Sequence, residues 1–209
     1  MTKLCVFGQL SLATVLNPSF ELPVVTSDAS GCPSYWPGGR GAVLIRSGSS
    51  AYGGILAADG NQLLGLQLPR FSLGTILQKI TFSSGALYTL SFYAASDTNG
   101  PATFVVYVGP IAVLTLVSPP TMVMTFYSVS FIADASSQSI SFESTCASGG
   151  CVAFIDMVMI TQGLLLLVVC GSCLIDIVHP IVSVIVVAVT TSDLLAVEGT
   201  ESDIFTNCG

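Results

Sequence analysis

Between residues 17 and 161 the chain repeats one pattern: short apolar–polar alternations separated by clusters of Gly, Ser, Pro and Asn. Neighbouring side chains of a strand point to opposite faces, so a period of two supplies one face for a core and one for water. The predicted strands are 42–46, 62–68, 75–82, 87–94, 102–108, 111–117, 122–133, 138–144 and 152–161. In 87–94, Tyr88, Leu90 and Phe92 share one face, and Thr89, Ser91 and Tyr93 the other. Ser96-Asp97-Thr98-Asn99-Gly100-Pro101, Gly109-Pro110 and Ser118-Pro119-Pro120 are turn clusters. No stretch of about a dozen residues in this region carries a helical period. Short strands at this spacing predict an all-β domain of two packed antiparallel sheets.

A chain of 209 residues can bury one core and leaves a remainder too short for a second. With 52% apolar and only 8% charged residues, it lacks the composition of a disordered protein. All five basic residues (Lys3, Arg40, Arg46, Arg70, Lys79) precede residue 80, as do three acids; the other nine acids follow it. A chain with no Lys or Arg after residue 79 has no basic stripe for a phosphate backbone, so a nucleic-acid partner is not expected.

Both ends depart from the alternating pattern. Residues 1–16 hold Lys3, the apolar run Leu4 to Leu10 and the small residues Ser11 and Ala13. This suits a short signal peptide, whereas Gly8 and Gln9 interrupt the run and suit an edge strand; both readings stay open. Residues 162–209 contain an apolar segment, 164–189, followed by an acidic tail. The segment is long enough to span a bilayer. It carries Asp176, His179 and Pro180 in its middle, has no flanking Lys or Arg, and is β-branched in its second half. A membrane anchor, additional strands and a segment outside the domain's frame are the alternatives.

Seven cysteines cannot all pair within one chain. Cys146 and Cys151 flank Ala-Ser-Gly-Gly, a spacing suited to a local disulfide across a turn. Cys170-Gly-Ser-Cys173 has redox or metal-ligand spacing, but neither a second pair nor a βαβ pattern accompanies it. Signatures of catalysis are absent from the sequence. The single histidine, His179, sits in the apolar segment, and no nucleophile elbow, P-loop or dinucleotide fingerprint occurs. Glu143, Asp97 and Asp134 fall on a strand face and in turns, not as an opposed pair. An enzyme is therefore not expected.

Six short motifs, in order, carry a family likeness. They are Asn17-Pro18-Ser19-Phe20-Glu21, Tyr35-Trp36, Gly60-Asn61-Gln62-Leu63-Leu64-Gly65-Leu66, Ile76-Leu77-Gln78-Lys79-Ile80, Gly85-Ala86-Leu87-Tyr88-Thr89-Leu90-Ser91-Phe92 and Ile155-Asp156-Met157-Val158. Residues 17–161 thereby resemble the galactose-binding-like jelly-roll domains of carbohydrate-binding modules. That resemblance implies a β-sandwich, with 162–209 as an apolar extension, and a structural Ca²⁺ near Glu21 and Asp156. Hard Ca²⁺ takes six to eight oxygens, which two carboxylates and loop carbonyls can supply. It also implies aromatic rings stacked on a sugar, with Trp36, Tyr35, Tyr52, Tyr93 and Tyr107 as candidates. Trp36 and Tyr35 lie in a Cys/Pro/Gly-rich loop, where exposed rings are useful. Tyr93 and Tyr107 fall on the polar phase of their strands, so either decorates one outer face of the sandwich. The expected function is non-catalytic binding of a polysaccharide or cell-wall glycan, extracellular or at the cell surface, with membrane association through 164–189 left open. The alternative is a structural or adhesive surface protein that uses the sandwich for assembly.

Overall fold

The computed structural model describes residues 13–37, 40–67, 74–100, 102–146, 150–170, 173–179, 185–189 and 194–198. The chain divides into two compact units, Leu12–Thr161 and the remainder. The first unit contains β1 (Ala29–Ser30), β2 (Ala42–Arg46), β3 (Gln62–Gln67), β4 (Gly74–Thr81), β5 (Leu87–Ser96), β6 (Ala102–Val108), β7 (Ile111–Val117), β8 (Thr125–Ile132), β9 (Ser137–Cys146) and β10 (Val152–Gln162). Two sheets form, with orders β1-β2-β3-β10-β5-β8 and β4-β9-β6-β7. Their described pairings are antiparallel. This is the all-β domain of two packed antiparallel sheets expected from the alternation, in the sandwich form that the resemblance implied.

Strands β2, β6 and β7 begin and end at the predicted bounds, although β2 buries four consecutive residues instead of alternating. The eighth strand starts at Thr125, not at 122. Met122 has a positive φ of 59°, and its N–H donates to the Ser96 carbonyl. The backbone is turned there, even though the apolar spacing runs on.

The inward faces behave as a period of two demands. On β6 the pattern alternates without a fault, with Ala102, Phe104, Val106 and Val108 buried. Phe142 of β9 is the hub of the aromatic core: its ring centroid lies 5.3 Å from Phe92, 5.6 Å from Phe104 and 6.0 Å from Trp36. These tilted, edge-on and offset contacts suit the ring quadrupoles and add about 0.5–1.5 kcal/mol per pair beyond area burial.

A second apolar cluster covers the opposite face of the six-stranded sheet. Val43, Ile45, Leu63, Ala95, Val152 and Phe154 lie beneath Ile55, with Tyr52, Ala57, Met122 and Met124 packed against them. The β2–β3 loop, with its single 3-10 turn Ser50–Tyr52, thus folds back over the sheet that it leaves.

Two buried glutamines fasten the segments on either side of β1. Gln62 of β3 donates to the carbonyls of Phe20 and Pro23 and accepts from the Val25 N–H. Gln78 of β4 donates to the carbonyls of Leu16 and Tyr35 and accepts from the Leu16 N–H. Each amide thereby satisfies both its donor and its acceptor ends, as burial requires.

The second unit contains two antiparallel strand pairs. Leu164–Cys170 (β11) pairs with Cys173–His179 (β12), and Ile185–Val189 (β13) with Leu194–Glu198 (β14). The described part of the apolar segment is therefore extended chain. Among the described residues no helix is long and apolar enough to cross a membrane.

Candidate functional site

The opening and closing motifs meet at one loop. Glu21 Oε1 accepts from the backbone N–H groups of Asn61 and Gln62, both at 2.9 Å. Asp156 Oδ2 accepts from Ala58 (2.8 Å) and Asp59 (3.0 Å), and its Oδ1 from Met157 (2.8 Å). Asp59 in turn accepts a 2.6 Å bond from the Ser19 hydroxyl, and the Val158 N–H donates to the Pro18 carbonyl. Phe20 and Met157 hold positive φ values of 56° and 52° here, strained conformations that cost about 1–3 kcal/mol each and persist only where surrounding bonds dictate them.

Asp156 is wholly buried, and desolvation pushes its pKa up to about 7 although three backbone amides pull it down. The implied calcium does not fit this donor set. A dication seeks oxygen lone pairs, but five backbone N–H groups point at these two carboxyl groups. Among the described residues no three His, Cys, Asp or Glu side chains converge on a metal position.

The expected aromatic platform is not assembled. Trp36 is 1% exposed, with Phe20 at 5.3 Å on one side and Phe142 at 6.0 Å on another, and its indole N–H donates to the Asn17 carbonyl. The ring is part of the main apolar core, so it has no face to offer a ligand, contrary to the sequence expectation. Tyr35, at a positive φ of 70°, is 58% exposed. Tyr93 lies on the outer face of the six-stranded sheet, edge-on to Phe126 at 5.5 Å. Tyr107 lies on the outer face of the four-stranded sheet. The two tyrosines share a strand phase but belong to opposite faces of the sandwich, so they do not form one site. Cys151 is buried and disulfide-bonded; the Cys146 side chain lies outside the described residues, as do those of Cys170 and Cys173.

A cleft that the sequence reading did not assemble lies beside the β2–β3 loop. It has a volume of about 370 Å³ and is lined by Tyr52, Gly53, Asp97, Asn99, Met122 and Val152, among others. The Tyr52 ring is held edge-on to Phe154 at 6.3 Å, and burial, with Asp28 nearby, raises its phenol pKa, so the hydroxyl stays a neutral donor and acceptor. Asp97 accepts from Asn99 twice, through the side-chain amide at 2.7 Å and the backbone N–H at 3.3 Å. The Asp97 N–H donates to the Val152 carbonyl, which fixes this turn to the start of β10. Tyr52, the buried Asp97 and its partner Asn99 line the same cleft. An aromatic ring and a carboxylate–amide pair together are the groups that bind a polyhydroxylated ring through its C–H face and its vicinal hydroxyls. In sequence, 96–101 reads only as a turn, because nothing in it reveals the Tyr52 loop folded alongside.

Solved structures of similar shape complete the comparison. The carbohydrate-binding module TmCBM61 in complex with beta-1,4-galactotriose aligns with a TM-score of 0.53 at 15% identity, covering 73% of this chain and 99% of that one. The described sandwich shares its jelly-roll fold with this carbohydrate-binding module. The K2 cleaved adhesin domain of Lys-gingipain shares this jelly roll, with a TM-score of 0.52 at 14% identity over 70% of this chain and 97% of that one. Neither a protein-family model nor a curated protein matches the sequence. At these identities the jelly-roll likeness is one of fold.

Proposed function

We propose that this jelly roll binds a glycan without catalysis, outside the cell or at its surface, in the cleft between Tyr52 and the Asp97–Asn99 pair. The observation that carries the reading is the combination, in one concave site, of a ring fixed by Phe154 and a carboxylate oriented by its own amide neighbour. The volume falls within the range of small-ligand pockets, about 300–1,000 Å³. The module of like fold that holds beta-1,4-galactotriose makes β-linked galactans the first probes to use. A structural calcium, expected from the resemblance, is not part of this reading.

The test is a glycan array, followed by titration calorimetry with the full chain and its Tyr52→Ala and Asp97→Asn variants. Binding by the native protein that weakens tenfold or more in both variants supports the cleft. Binding unchanged in both moves the site elsewhere, and no binding by the folded protein removes the glycan reading. The adhesin domain of like fold favours a second reading, in which the sandwich serves adhesion or assembly and the partner is a protein surface.

A further inference from the structure

The β2–β3 loop reaches the cleft at Tyr52 and returns to the sheet through residues 57–62. That return is bonded to carboxyl groups from both ends of the domain, Glu21 near its start and Asp156 near its end. The amides come in consecutive pairs, Ala58 with Asp59 and Asn61 with Gln62. Successive N–H groups of this kind form concavities that attract oxygen acceptors and repel cations. The Gly60 Cα between the two pairs has Glu21 directly against it, because a side chain added there would overlap the Glu21 carboxyl.

We propose that Glu21 and Asp156 hold the β2–β3 loop by accepting its backbone amides, where the sequence resemblance implied a calcium ion, and that this domain assembles its Tyr52 cleft without metal. The two carboxyl groups are positioning residues: they touch the loop and not the ligand. The statement about the cleft rests on the glycan reading above; the statement about the loop does not.

The experiment uses the full chain, stripped with EGTA and measured with and without millimolar calcium. An ion that binds only the folded state, at about a hundred times its dissociation constant, raises the thermal midpoint by several degrees. The expected result is no shift in midpoint and no saturable heat when calcium chloride is titrated into the stripped protein. The variants Glu21→Gln and Asp156→Asn are expected to lower the midpoint equally with and without calcium. A calcium-dependent rise in the native protein, abolished in either variant, would overturn the proposal, whether or not a glycan is found. Should the native protein bind a glycan, affinity is expected to be the same in EGTA; loss of affinity on chelation at constant fold also overturns it. If either variant does not fold, the calcium titration of the native chain still decides.

Discussion

The carboxyl group of Asp156 lies 2.8 Å from the backbone nitrogen of Ala58, a residue 98 positions earlier in the chain. This bond closes the exposed β2–β3 loop onto the last strand of the sandwich through a carboxyl group that is itself buried. Burial raises the Asp156 pKa from 3.8 to about 7, so between these values the folded chain holds a proton that the unfolded chain has released. The stabilising contribution is complete below about pH 4 and is lost as pH rises through about 7. The thermal midpoint of the native protein is therefore expected to fall between about pH 4.5 and about pH 7.5. Asp156→Asn, which cannot titrate, should flatten that slope; a slope of equal size in the variant would refute the assignment.

Trp36 is the sole tryptophan, and it is buried. Its emission should be blue-shifted in the native state, shielded from iodide, and unchanged when a glycan is added. Trp36→Ala should cost about 3–5 kcal/mol of stability by the large-to-small rule for aromatic core residues. Quenching by iodide in the native state would show that the ring is exposed.

Around the cleft, Asn99→Ala removes the side-chain amide that holds Asp97 at 2.7 Å. Loss of a hydrogen bond to a charged group predicts a weakening of glycan binding by about tenfold. Tyr93→Ala and Tyr107→Ala, on opposite outer faces, should leave affinity within about twofold. Calorimetry on the three variants separates the cleft from the sheet faces, and a larger loss in Tyr107→Ala would transfer the site to the four-stranded sheet.

Gly65 lies in β3 beneath the second apolar cluster. An added Cβ would come within 2.6 Å of Ile45 Cδ1 and 2.9 Å of Val43 Cγ1. Gly65→Ala is expected to destabilise by about 1–3 kcal/mol through overpacking. At Gly85, with a φ of +81° and nothing within 4 Å, alanine meets backbone strain alone, about 1–2 kcal/mol. Urea unfolding of Gly65→Leu and Gly85→Leu distinguishes the causes. The penalty should grow with side-chain size at Gly65 and stay level at Gly85.

Alternation was sufficient to place most strands because each buried face is written into its own strand, as in β6. Assignment of strands to sheets was not legible. Tyr93 and Tyr107 have the same local phase, yet β5 and β6 belong to different sheets, and only the long-range pairings of β5 with β8 and β6 with β9 separate them. Trp36 misled for a related reason. A loop rich in Gly and Pro suggests exposure, but this one turns its tryptophan into the core, against Phe20 and Phe142. The cleft was hidden because Tyr52, Asp97 and Met122 come from three loops whose proximity has no local signal. The Glu21 and Asp156 motifs were visible, whereas the direction of the amides facing them was not.

Strand β10 is the last of the sandwich to be synthesised, yet it lies inside the six-stranded sheet, between β3 and β5. Until residues 152–158 leave the ribosome, the nascent chain has no means of joining the β1-β2-β3 part of that sheet to the β5-β8 part. Both inner edges then remain unpaired, a state open to aggregation and to capture by chaperones. The six-stranded sheet must therefore close late, and a ribosome stalled before Val152 would display every strand of the four-stranded sheet beside two unjoined parts of the other.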